Sequence, residues 1–144
     1  MINYCWQDKV WGKTKLLVES DRFQRHELII NKGGYCSVHY HRLRANRFIM
    51  KSGVVRIVEF IAWTTRQTML TPDMVYEVPS LVPHMFQVLE DGEMFEEYWN
   101  DRDNKPVDGA DIVRLCEGGA QNHEETWDQT MARVYREQAG CNAQ

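Results

Sequence analysis

The sequence predicts an all-β fold, a double-sheet jelly-roll barrel followed by one C-terminal α-helix. Two observations carry that prediction. From Leu16 to Trp99 short runs rich in β-branched and aromatic residues alternate with breaks containing Gly, Pro and Asp. Beyond Gly119 the apolar spacing changes to that of a helix. Evenly spaced short strands separated by turn signals are the pattern of a sandwich or barrel.

The expected strands, in order, are Lys15–Glu19, Phe23–Ile30, Ser37–His41, Arg47–Lys51, Val54–Ile61, Met74–Val78, Met85–Leu89 and Met94–Asn100. Lys32-Gly33-Gly34, Lys51-Ser52-Gly53, Thr71-Pro72-Asp73 and Asp91-Gly92 separate them. Glycine supplies the positive φ that tight turns need, and proline blocks strand continuation. Trp127, Met131, Val134 and Tyr135 recur at helical spacing, which predicts a helix over His123–Gln138 with Asn122 as N-cap and Gly140 beyond its end. Its apolar stripe is expected to cover the barrel's edge or a dimer partner, and His123 to be a solvated first-turn residue.

A chain of 144 residues suits one domain, 1–144, with the barrel core at about 15–115. The net charge of -4 argues against nucleic-acid and membrane-surface partners. No apolar run has the length of a membrane-spanning helix, and MINYCWQDKVWGK lacks the apolar region of a signal peptide. Cys5, Cys36, Cys116 and Cys141 are scattered with no C-x-x-C pair, as in a reduced, cytoplasmic protein. A small jelly roll leaves sheet edges to be covered, so a homodimer is expected.

The stretch from Gly33 to Gly53, GGYCSVHYHRLRANRFIMKSG, carries the chemistry. Residues i and i+2 of a strand share one face, so His39 and His41 can aim both imidazoles at one ion. His84, in PSLVPHMFQV, supplies a third from a second strand. Imidazole is the usual protein ligand for zinc, iron, copper and nickel.

The spacing resembles the first cupin motif, G-x5-H-x-H-x4-E-x6-G, with Asn46 in the glutamate position. Pro79 and His84 fit the second motif, P-x-G-x2-H-x3-N, whereas Leu81 and Val88 replace its glycine and asparagine. SVHYHRLRANRFIMKSGVVRI is similar to the corresponding segment of the cupin domain of type II phosphomannose isomerases. Ser37, His41, Arg44, Ser52 and Gly53 match, and His39 replaces the family glutamine. Lys9-Val10-Trp11-Gly12 resembles the family's R-P-W-G opening, Tyr76 to His84 its Y-x-I-P-x-G-x-x-H, and Ala110 to Arg114 its closing E-D-D-I-V-R. The similarity runs over roughly residues 9–115. It implies a single-domain cupin holding one divalent metal (Zn, Mn, Fe or Ni) on His39, His41 and His84, with Asn46 as a possible fourth ligand. Neutral Asn46 in place of glutamate leaves the site at +2 rather than +1, and an amide oxygen is the weaker donor.

Arginines near the metal strands suit an anionic substrate, because the guanidinium fork binds phosphate bidentately. Arg44 and Arg114, which match family positions, are the expected substrate-binding residues; Arg42, Arg47, Arg56 and Arg66 are expected on the outer face. Trp11, Phe48, Phe86 and Trp99 are candidate pocket walls. The resemblance implies aldose–ketose isomerisation of a small phosphorylated sugar, which needs a Lewis acid and a base that moves a proton between C1 and C2. Glu97 or its neighbour Glu96 in FEEYW is the expected base, since only one of the two can face inward, and Glu97 and Arg44 are taken as the catalytic residues. Two rival readings stand beside this one. A three-histidine site without glutamate is also that of an iron(II) dioxygenase-type cupin, and the fold also serves non-catalytic sugar binding.

Overall fold

The computed structural model describes residues 4–142, with side chains through Glu137. In chain order the elements are β1 Gln7–Lys9, β2 Gly12–Glu19, β3 Gln24–Ile30, β4 Gly34–Tyr35, β5 Val38–Tyr40, β6 Arg44–Ile61, β7 Thr64–Leu70, β8 Val75–Val78, β9 His84–Asn100, β10 Val113–Cys116, β11 Gly119–Ala120 and α1 Trp127–Asn142.

Two long bent strands organise the barrel. β6 and β9 pair antiparallel from Arg44↔Asn100 to Glu59↔His84, with register shifts around Ser52 and Val54. The Ser52-Gly53 and Asp91-Gly92 signals, expected to end strands, instead mark the place where each long strand bends. A Cβ on Gly92 would lie 2.1 Å from the Ser52 carbonyl oxygen, and Gly53 has φ 78°. Only glycine allows the two backbones to cross this closely. Four of the expected strands are therefore two halves of β6 and two halves of β9. The first half of β6 also pairs with β8 and its second half with β7. β9 pairs with β3 through its second half and with β4 and β5 through its first. β1 and β2 extend the β3 edge, and β10 and β11 cover β5 and β4. The architecture is the expected double-stranded β-helix, or jelly-roll barrel, with a C-terminal helix.

The interior face changes character along the strands. Across β3, β9 and β6, Gln24, Tyr98 and Asn46 stand in one row, His26, Glu96 and Phe48 in the next, and Leu28, Met94 and Met50 in a third. The first half of β9 runs likewise from His84 to Phe86 and Val88. One end of the barrel is thus an apolar plug, in which Ile30, Val55, Ile57, Leu70, Val78, Val88 and Met94 are fully buried. Each such large side chain contributes about 1.5–3 kcal/mol by leaving water. The other end is a polar layer.

α1 starts later than expected. Its N-cap is Thr126, whose Oγ1 accepts from Gln129 N (3.2 Å) while Gln129 Oε1 accepts from Thr126 N (2.9 Å), a reciprocal capping box. Asn122 lies in the preceding turn and His123 is exposed. The helix backbone runs past Gly140 to Asn142. Val134 joins the buried core and Trp127 and Met131 pack against it. The stripe is pinned by ring contacts of Trp127 with Tyr35 (6.1 Å) and of Tyr135 with Phe60 (6.4 Å).

Candidate metal centre

His39 is the central residue of β5 and sits directly opposite His84, the first residue of β9. His41 follows β5 on the same side. The three rings gather with centroids 5.0, 4.7 and 5.5 Å apart. One nitrogen of each lies within 4.8 Å of the others.

The backbone sets the tautomer of each ring. His39 Nδ1 lies 2.9 Å from Ser37 O, His41 Nδ1 2.7 Å from Asp111 O and His84 Nδ1 2.9 Å from Val82 O. A carbonyl oxygen only accepts, so each Nδ1 carries the hydrogen and each Nε2 keeps its lone pair. Burial lowers the pKa of His39 to about 2, of His41 to about 3 and of His84 to about 4, so all three rings are neutral at pH 7.

The donor set fits a metal. His41 Nε2 alone, among the buried side-chain nitrogens and oxygens of the described residues, lacks a hydrogen-bond partner; such an orphan is costly unless something binds it. Asn46 Nδ2 donates to Glu97 O (3.4 Å) and hydrogen-bonds the Glu96 side chain, which leaves Asn46 Oδ1 facing His84 Nε2 at 3.2 Å. Two acceptors at that distance repel unless a cation is shared; donors bound at about 2.1 Å and at right angles stand about 3 Å apart. Asn46 Oδ1 thus stands beside the three imidazole nitrogens as a candidate fourth donor.

Asp111 holds the loop that carries His41. Its carboxylate accepts from Arg42 N (2.8 Å), Leu43 N (2.9 Å) and Arg44 N (3.1 Å). Burial opposes its charge, but these three donors outweigh it and keep the carboxyl below its ordinary range. Asp111 was visible in the sequence only as part of the D-I-V-R match.

A cavity of about 630 Å³ reaches the triad at His39 and is lined also by His26, Glu96, Tyr98 and Arg114. Glu96 faces it, as do Asp8 and Glu19; burial raises the Glu96 pKa, and its partners are the Tyr98 hydroxyl and Asn46. This corrects the expectation for Glu97. Glu97 is buried on the opposite face, where it pairs with Arg25 (2.7 Å) and Arg47 (3.1 Å). Met94, Glu96 and Tyr98 alternate onto the interior face, in register with Met50, Phe48 and Asn46 of β6.

Arg44 is brought to the site but is already committed. Its Nε, Nη1 and Nη2 donate to Asp111 O, Gln24 Oε1 and Gly109 O, and its guanidinium lies 3.9 Å from the Tyr98 ring centroid. It braces the polar layer instead of offering a free fork. Arg114, opposite His39 in the β5–β10 pair, does reach the cavity. Trp11, Phe48 and Phe86 form walls as expected, whereas Trp99 lies on the outer face beneath Arg47 (4.6 Å). His26 went unrecognised in the sequence. The polar Gln24-x-His26 start of an otherwise apolar alternation was its signal. Burial, with Arg44 and Lys9 adding to it, lowers its pKa to about 4.

No protein-family model matches the sequence, and no curated protein matches it. Solved structures do. Oxalate decarboxylase from Bacillus subtilis at pH 4.6 superimposes with TM-score 0.66 at 16% identity over 78% of this chain and 30% of that one. The Lactobacillus farciminis oxalate decarboxylase formate complex gives TM-score 0.66 at 16% identity over 78% and 34%. KdgF from Halomonas sp. gives TM-score 0.59 at 16% identity over 69% of this chain and 89% of that one. The chain thus spans about a third of the decarboxylases' length and most of KdgF's. At these identities the likeness shows the fold, which is that of the cupins.

Proposed function

We propose that this cupin-fold chain binds one divalent cation on His39, His41 and His84, with Asn46 completing the donor set, and isomerises a small anionic sugar. One observation carries the reading: His39 of the metal-ready histidine triad and an inward carboxyl, Glu96, line one cavity. The Mn(II) centres of Bacillus subtilis oxalate decarboxylase support a divalent ion in this fold. The similarity to phosphomannose isomerases supports the substrate class.

A bound cation supplies Lewis acidity toward the carbonyl and hydroxyl oxygens of a substrate. The chain's residues supply the rest. Glu96 takes the proton from the substrate's C2 and returns it at C1; its raised pKa brings it nearer to neutral operating pH than an ordinary carboxyl. The Tyr98 hydroxyl donates to Glu96 and fixes its orientation, while Arg44 stacks on the far side of that ring. Trp11 and Phe86, in edge contact at 5.1 Å, form an apolar wall that limits water.

Incubation of metal-loaded protein with mannose 6-phosphate in D2O tests this. The expected result is fructose 6-phosphate with deuterium at the transferred position, lost in Glu96→Gln. The all-neutral donor set favours one rival, an iron(II) dioxygenase. Oxygen consumption by the iron form, without aldose–ketose exchange, would replace the isomerase reading with that one.

A further inference from the structure

In the second half of β6 the interior alternation Val55, Ile57, Glu59 ends on a carboxylate. These three residues stand opposite Val88, Phe86 and His84 of β9, so Glu59 is the cross-strand neighbour of a histidine of the triad. Glu59 is 0% exposed, at a position where the alternation calls for an apolar residue. Taking a carboxylate out of water is costly, and an apolar side chain would serve the sheet as well.

β7 flanks β6 on the side away from β9 and holds the carboxylate from there. Arg66, opposite Glu59, donates Nε to Oε1 (3.1 Å) and Nη2 to Oε2 (3.2 Å), and the Tyr76 hydroxyl of β8 also donates to Oε1. The ion pair is asymmetric, since the Glu59 side chain is 1% exposed and that of Arg66 59%. Water screens the arginine, whereas the carboxylate acts through the low-dielectric interior. Directly opposed residues have Cβ atoms about 4.5–5.5 Å apart. The Glu59 charge is felt at His84, where that of Arg44 opposes it. Glu59 is no ligand itself, because among the described residues only His39, His41 and His84 bring donor atoms together.

We propose that Glu59 sets the charge of the metal centre, supplying from beside His84 the negative charge that Asn46 does not. Three neutral imidazoles and an amide leave a divalent ion at +2 in a buried site, which is costly without a counter-charge. One carboxylate on the neighbouring strand offsets part of that charge while the ligands stay neutral. Arg66 cancels some of the Glu59 field, so its loss should strengthen the effect. The inference rests on the reading of the triad as a metal centre.

Chelator competition for zinc(II) on the metal-stripped protein at pH 7 tests it, with no turnover involved. Glu59→Gln keeps the side-chain shape and should weaken zinc(II) binding about tenfold, the lower end of what outer partners of metal ligands contribute. Arg66→Gln should act in the opposite direction and tighten binding about threefold, the scale of a screened surface charge. Tyr76→Phe removes a hydrogen bond but no charge, and should leave the affinity unchanged. A purely structural role for this network would instead weaken binding in all three variants. Arg66→Gln changes an exposed edge residue, so its result decides even where Glu59→Gln does not fold. The proposal is overturned if Glu59→Gln binds like wild type, if Arg66→Gln weakens binding, or if Tyr76→Phe loses as much as Glu59→Gln. Wild type that takes up no zinc(II) would remove the metal centre and this inference together. Wild-type uptake with no response to Glu59→Gln removes this inference alone.

Discussion

Asp111→Ala removes one carboxylate and should damage stability and metal binding together. The side chain accepts three consecutive backbone amides, Arg42, Leu43 and Arg44. Water can replace it at exposed Arg42, but the Leu43 and Arg44 amides are partly buried. Hydrogen bonds to a charged group contribute about 1.5–3 kcal/mol each, and partial rehydration reduces the total to about 2–4 kcal/mol. The same loop carries His41, whose Nδ1 is held 2.7 Å from the Asp111 carbonyl. Loss of a partner that orients a ligand typically lowers metal affinity about 10–100-fold. The Asp111 pKa is held below its unfolded value, so its contribution is fully present above about pH 4 and fades as pH falls through the folded pKa. Urea unfolding at pH 7 and chelator competition measure the two effects. A variant that loses under about 1 kcal/mol and keeps wild-type metal affinity would refute the reasoning.

Metal-free protein should lose stability steeply below about pH 6.5. Burial lowers His26, His39, His41 and His84 to about 4, 2, 3 and 4, so the unfolded chain binds protons that the folded chain excludes. Each costs up to about 1.4 kcal/mol per pH unit; His26→Gln should reduce the slope by one proton, and a flat urea midpoint between pH 7 and 5 would contradict this. Asn46→Glu adds a charged ligand and should tighten divalent-metal binding by about tenfold, about 1.4 kcal/mol, in chelator competition; weaker binding than wild type would remove Asn46 from the donor set. Gly92→Ala should cost about 3 kcal/mol or more, because its Cβ would lie 2.1 Å from Ser52 O; a wild-type urea midpoint would show that the β6–β9 crossing tolerates a side chain.

The histidine site was legible because a two-residue spacing has one meaning in a strand. His39 and His41 share a face whatever the exact boundaries, and His84 lies across from them. The long strands were not legible, because a glycine that lets two backbones cross leaves the same trace as one that turns a hairpin. Gly53 and Gly92 do the former. β7 escaped because TTRQT is an exposed edge with little apolar alternation. The choice of Glu97 over Glu96 failed for a different reason. Both are at least partly withdrawn from solvent, and only the register with Asn46 and Phe48 tells which one faces the cavity. Arg44 lines the cavity, but its commitments to Gln24, Gly109 and Asp111 come from distant segments that no local pattern connects.

Metal analysis of purified protein, by mass spectrometry after dialysis and by titration of the stripped form, tests the central claim most directly. Wild type should hold one divalent ion per chain. His39→Ala, His41→Ala and His84→Ala should each lose it, while His123→Ala, an exposed histidine far along the sequence, keeps it. Wild type that takes up no divalent ion, or a folded His41→Ala variant that retains a full equivalent, would contradict the account.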